Sequence, residues 1–228
     1  MRICVTGLTV ALMLAGTSWS APTVLFEDDF DNERPGPDAT VVTALAYWTV
    51  YYGHVDVLGT SQDGTVTYQD VLPGNGCYID LDGSTDDPGF LVSNQSFYLA
   101  SDTMYTVTFS LAGNNAPGGQ ASASDSVGFS VVSEMAPLKT WDVDWDAPFE
   151  TVSYDFFGTD QTEQLLFGND KGWHDVSGAR DYAGPKIDNI VLTENTPCVP
   201  VPGAAVLSSL GAVLVSFVRR RRALSSAW

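Results

Sequence analysis

The segment Tyr105-Thr106-Val107-Thr108-Phe109-Ser110-Leu111 carries an apolar side chain at every odd position and a hydroxyl at every even one. Successive side chains of a β-strand point to opposite faces, so this segment buries one face and wets the other. Val127, Phe129 and Val131 repeat the pattern, as do Val152, Tyr154 and Phe156. Further short runs predict strands at 23–26, 44–52, 55–58, 65–68, 78–81, 90–92, 96–99, 164–167 and 187–193. Turn-forming clusters separate them, among them Asp63-Gly64, Pro73-Gly74-Asn75-Gly76 and Asp86-Asp87-Pro88-Gly89. Residues 114–126 read as a surface loop of low complexity. No segment before the C-terminal region shows a helical stripe. Many short strands joined by short turns predict an all-β fold, a β-sandwich or jelly roll.

The two ends follow different rules. Residues 1–20 read as a secretory signal peptide, with Arg2 as the positive region, an apolar stretch from Ile3 to Ala15, and small residues at Ser18 and Ser20 before the cut. At the other end, residues 199–218 carry no charge and are long enough for one transmembrane helix. Arg219, Arg220, Arg221 and Arg222 follow at once and stay on the cytoplasmic side. The motif Val199-Pro200-Val201-Pro202-Gly203, the helix and the Arg cluster resemble the PEP-CTERM sorting signals of Gram-negative bacteria, in their Val-Pro-x-Pro variant. That resemblance implies an exosortase as partner, after signal peptidase, and a route through the inner membrane to the cell surface or beyond. A plain C-terminal anchor is the alternative. The expected organisation is a signal peptide over 1–20, a β-sandwich domain over 21–197 and a sorting signal over 198–228.

All 28 acidic residues fall in the middle domain, against five basic ones, Arg34, Lys139, Lys171, Arg180 and Lys186. A formal charge near −23 opposes nucleic acid and anionic membranes, since phosphate contacts need clustered Lys and Arg. Once Cys4 leaves with the signal peptide, Cys77 and Cys198 are the one pair able to form a disulfide, which export permits. No catalytic motif is visible. There is no G-x-S-x-G or H-E-x-x-H, and the two histidines, His54 and His174, lie far apart in the chain.

Three segments are similar to bacterial choice-of-anchor proteins and plant cell-wall proteins with a galactose-binding-like jelly roll. They are YIDLDG at 78–83, FYLASDTMYTVTFSLAGNN at 97–115 and GPKIDNIVL at 184–192. The resemblance extends over roughly residues 23 to 194. It implies an eight-stranded sandwich of a kind often used to bind carbohydrate, and a structural calcium ion joining the N-terminal segment to the closing strand. Glu27, Asp29 and Asp188 match that ligand pattern. If Ile190 and Leu192 face the core, alternation puts Asp188 on the same side, where a lone carboxylate is costly and a cation would satisfy it. Otherwise Asp188 caps a turn and Glu27 is a solvated charge.

Two other acidic runs are weaker metal candidates. Asp142-Val143-Asp144-Trp145-Asp146 opens like an EF-hand, but Ala147 replaces the glycine and Ser153 the closing Glu, so it reads as a solvated acidic face. Asp80, Asp82 and Asp86 form a similar turn. For sugar stacking, the aromatic candidates are Trp173 with His174 in a Gly-rich loop, and Trp141 and Trp145, each also able to serve as packing; Trp48 reads as core. The functional expectation is a non-catalytic module binding extracellular polysaccharide. A secreted polysaccharide-active enzyme and a purely structural surface protein are the alternatives. Mass spectrometry of the extracellular form is expected to start at Ala21 or Pro22 and to lack Arg219 to Trp228. An intact C-terminus would leave a simple anchor.

Overall fold

The structure, a computed structural model, describes residues 21–33, 41–60, 64, 69–84, 88–115, 125–134, 136–169 and 184–195. The expected signal peptide, the strand at 65–68, Trp173, His174, Cys198 and the whole sorting segment lie outside them. The described strands all fall in the compact unit Pro22–Thr196. They are β1 (Thr23–Asp28), β2 (Trp48–Tyr51), β3 (Asp56–Gly59), β4 (Cys77–Asp80), β5 (Phe90–Ser93), β6 (Phe97–Leu99), β7 (Met104–Ala112), β8 (Asp125–Val131), β9 (Lys139–Val143), β10 (Glu150–Phe157), β11 (Gln161–Glu163), β12 (Leu165–Asn169) and β13 (Lys186–Asn195). Among the described residues no helix is long and apolar enough to cross a membrane.

The chain is an all-β sandwich. One sheet runs β10-β7-β13-β4-β3, with β1 also paired to β13; the other runs β2-β5-β12-β8-β9; β11 and β6 form a small separate pair. The two main sheets hold more strands than the eight expected. β11 escapes the sequence reading because Gln161-Thr162-Glu163 carries no apolar alternation. The expected strand over 44–52 is also shorter. Leu45 N–H donates to Trp48 O (2.8 Å) and Ala44 bridges Thr49, so the chain reverses before β2 begins. An unbroken apolar run gives no sign of such a turn.

Alternation in β7 holds as read. Tyr105, Val107, Phe109 and Leu111 are buried, whereas Thr106, Thr108 and Ser110 lie half-exposed on the outer face. Aromatic rings from both sheets meet between them. Phe109 of β7 packs edge-on against Phe167 of β12 with centroids 5.2 Å apart, and Phe167 in turn meets Phe129 at 5.3 Å and Trp48 at 5.8 Å. Such edge-to-face pairs add about 0.5–1.5 kcal/mol each beyond their buried area.

The acidic stretch that follows β1 latches this core from the edge. Asp28 Oδ2 accepts from the Trp48 indole N–H (2.7 Å), Asp31 Oδ1 from Cys77 N–H (2.8 Å) and Glu33 Oε1 from Ala46 N–H (2.7 Å). Three carboxylates, none singled out in the sequence, therefore satisfy backbone and indole donors of β2, β4 and the turn before β2.

The three segments that carry the family resemblance converge on one buried ammonium. Lys186 of β13 is 1 % exposed, and its Nζ lies 3.4 Å from Asp80 Oδ2 of β4. The same Nζ donates to the backbone oxygens of Asn114 and Gly184. Asp80 Oδ1 also accepts from Gly184 N–H (2.9 Å) and Asp82 N–H (3.1 Å), and Asn169 Nδ2 donates to Asp82 Oδ1. Gly184 is required here by contact, since a Cβ would lie 2.6 Å from Asp82 Cγ. Removing one partner of a buried pair strands the other charge, at a cost of about 3–5 kcal/mol. Lys186→Met is expected to lose stability on that scale in urea unfolding, and Asp80→Asn in the same chain is expected to restore part of it. A loss below about 1 kcal/mol would show that the pair is not structural.

Candidate functional site

A groove of about 310 Å³ opens on the outer face of the second sheet, lined by Tyr51, Tyr52, Phe90, Val92, Val132, Glu134, Gln164 and Leu166. Strand register explains why these side chains share a face. Trp48 and Val50 of β2 point inward, so Tyr51 points outward, and its partner across the sheet is Phe90 of β5. Phe90 faces Gly168 of β12, which faces Gly128 of β8. A Cβ at Gly168 would lie 2.5 Å from Phe90 Cδ1. The glycine therefore lets the Phe90 ring lie against the strand and form the groove floor.

Tyr52 stands at the rim, 85 % exposed, where the chain turns from β2 towards β3. Its φ of 59° is the left-handed region, which a bulky aromatic residue adopts only when the surroundings impose it. Its ring meets Phe90 edge-on at 6.5 Å. The opposite rim is the loop after β8. There the single Ser130 hydroxyl hydrogen is donated to Ala136 O (2.9 Å), with Glu134 O at 3.2 Å as the alternative acceptor, fixing the backbone that carries Val132 and Glu134. Gln164 Nε2 donates to Ser93 O (2.5 Å), which orients its amide. The groove thus offers exposed aromatic surface beside a carboxylate and an amide.

The sequence reading did not select any of these aromatics. Its signal was an exposed Trp, whereas Tyr51 and Tyr52 sit at the end of the strand expected over 44–52 and were given no role. Trp141 of β9 is half-buried and turned inward, edge-on to Phe109 (5.0 Å) and Tyr154 (6.4 Å), with Lys139 Nζ 5.8 Å above its ring. Trp145 is half-buried in the turn after β9, where its backbone oxygen accepts from Asn115 N–H (2.8 Å). Within the expected acidic face, Asp142, Asp144 and Asp146 are exposed, but the strand ends at Val143.

The three expected calcium ligands do not all line one cleft, although the charge of Asp29 reaches Asp188. Glu27 and Asp29 are exposed and line a separate polar cleft of about 390 Å³ with Asp28, Asn32, Tyr47 and Asn189, and Asp188 is not part of that lining. Among the described residues, no three His, Cys, Asp or Glu side chains are placed to hold a metal ion. The alternation behind the Asp188 argument also fails. A bulge between Asp188 and Val191, with Asn189 at φ 52°, breaks the period, so Asp188 pairs with Ser110 instead of following Ile190 and Leu192, yet at 2 % exposure it is the buried carboxylate that was expected. It lies where β13 changes partner from β4 to β1. Cys77 is fully buried, and burial together with nearby carboxylates pushes its thiol up to about 11.

Asp188 is nevertheless a strongly perturbed carboxyl. Burial, opposed by the Asn189 N–H bond (2.7 Å) and aided by the charges of Asp31, Asp29 and Asp28, pushes it up to about 7. Between the ordinary value of 3.8 and about 7, the folded chain holds a proton that the unfolded chain has lost. Stability contributed by this group therefore falls as pH rises through that window. Burial also shifts Asp28, Glu33, Asp56 and Asp80 upward. Asp188→Asn is expected to flatten the decline in melting temperature between pH 4 and 7 without abolishing it. An unchanged slope would mean that Asp188 is ionised throughout.

No protein-family model matches the chain, and no curated protein matches it. Among solved structures, it is similar to the carbohydrate-binding module CBM6cm-2 from Cellvibrio mixtus lichenase 5A in complex with cellotriose, at 10 % identity and TM-score 0.37, covering 77 % of this chain and 99 % of that one. A family 35 carbohydrate-binding module from Clostridium thermocellum is similar at 11 % identity and TM-score 0.34, covering 76 % and 98 %. The enzymatically active domain of bacteriophage CBA120 tailspike protein 4 is similar at 10 % identity and TM-score 0.36, covering 69 % and 22 %. Likenesses at this level are shared by binding modules and an enzyme domain alike, and carry no argument about function.

Proposed function

We propose that this protein is an exported, non-catalytic β-sandwich that binds a polysaccharide chain along the Tyr51, Tyr52 and Phe90 groove. One observation carries the reading: aromatic rings exposed side by side on a sheet face, with Glu134 and Gln164 at the rim. Pyranose rings present flat C–H faces that stack on such rings, while their hydroxyls seek carboxylate and amide partners. Exposed apolar surface of this kind marks an interaction site more often than it serves stability. Delivery by signal peptidase and an exosortase, to the cell surface or the surrounding matrix, belongs to the same proposal and rests on the motifs at the two ends.

The test is a glycan array with the purified protein, run beside an assay for released reducing ends. Binding without turnover is expected. Tyr52→Ala is expected to weaken binding at least about tenfold, or about 1.4 kcal/mol. Gly168→Ala, which displaces Phe90, is expected to do the same while touching no ligand itself. Turnover that disappears on changing one carboxylate would replace the binding reading with an enzyme, and blank results in both assays would leave a structural role.

Structural calcium is a separate proposal, and no part of the groove depends on it. Calcium is expected to raise the melting temperature relative to EGTA by more than sodium chloride does at matched ionic strength. Equal effects of the two salts would dismiss it.

A further inference from the structure

We infer that the groove selects an uncharged glycan, and that Glu134 is the residue that sets this selectivity; the inference deepens the carbohydrate reading and rests on it. Glu134 is the one acidic residue among the groove's lining side chains, and none of them is Lys or Arg. Of the two lysines among the described residues, Lys186 is buried and bound to Asp80. Lys139 lies on β9, at the edge of the sheet opposite β2, over the Trp141 ring. One N–H of the Gln164 amide donates to Ser93 O, which holds the amide in place and leaves its carbonyl oxygen and second N–H, both uncharged, for a ligand. Glu134 and Gln164 both present acceptors, which suit the donor hydroxyls of a neutral sugar.

A uronate or sulfate would find no Lys or Arg among the groove's described lining residues, and would meet the Glu134 carboxylate. Burying such a group without a partner is costly, and like charges brought together across an interface cost several kcal/mol. The net charge of −18 adds a longer-range repulsion that salt screens. Discrimination against acidic glycans thus comes from two sources, a local one at Glu134 that salt weakens little and a diffuse one that salt removes.

The experiment is affinity gel electrophoresis of the full-length protein in EGTA. The gels hold neutral cellulose-, mannan- and galactan-type polymers, each before and after oxidation of its C6 hydroxymethyl group to a carboxylate. Oxidation is expected to lower the affinity for the retarding polymer at least about tenfold, and high salt to recover only part of that loss. Glu134→Lys is expected to shift the oxidised-to-neutral affinity ratio by at least about tenfold in favour of the oxidised chain. Equal retardation by both forms, lost in Tyr52→Ala, would overturn the selectivity and leave the carbohydrate reading standing. An unchanged ratio in Glu134→Lys would also overturn it. Retardation by none of the polymers, with a blank array, would overturn both.

Discussion

The Lys186 ammonium is the point on which the first sheet closes. Its donors reach Asp80 on β4, the backbone of Asn114 beyond β7, and Gly184 just before β13. β13 lies between β7 and β4 in the sheet, although it is the last strand in the chain. A strand that must insert between two earlier ones needs its end fixed, and a buried charge with several specific acceptors does so where an apolar contact could slide. The pair is costly to bury and costly to break, so it favours one arrangement over its neighbours more than it adds net stability. The acidic latch after β1 is a second device of this kind, tying the outermost strand to donors of β2 and β4.

The groove depends on this frame only indirectly, because it lies on the other sheet. Its geometry comes from a mismatch of side-chain size across one row, Tyr51, Phe90, Gly168 and Gly128. Two large rings followed by two glycines leave a step in the sheet surface, and the loop held by Ser130 walls its far side. The same sheet keeps Trp48, Leu91, Phe129 and Phe167 on its inner face. Alternation therefore divides the aromatics of one sheet between a core that stabilises and a surface that can bind.

Several particulars were legible in the chain. The buried and wet faces of β7 follow directly from its alternating residues, because a strand's side-chain period is fixed by covalent geometry. The core role of Trp48 and the inward faces of β8 and β10 were read in the same way. The motifs at 78–83, 97–115 and 184–192 were visible as motifs, but their mutual contact was not, since nothing local says that Asp80 and Lys186 face each other. The turn at 45–48 and the bulge at Asn189 were hidden for a related reason. Each interrupts a periodic pattern without changing its composition. The bulge takes Asp188 out of the alternation of Ile190 and Leu192.

The amino-acid sequence by itself determined the fold class, the segregation of charge into the middle of the chain, and the processing signals expected at its ends. Those features depend on period, composition and length, which are properties of segments. Tertiary structure alone decided which aromatics reach solvent. Tyr51 and Tyr52 lie at the end of the same expected strand as the core residue Trp48, and they are exposed because β2 is an edge strand whose outer face nothing in the described chain covers. Trp141 read as either a stacking or a packing residue and is turned inward, because register places it on the buried face opposite Val127. Exposure is a property of the packed sheets, and strand pairing between distant segments sets it.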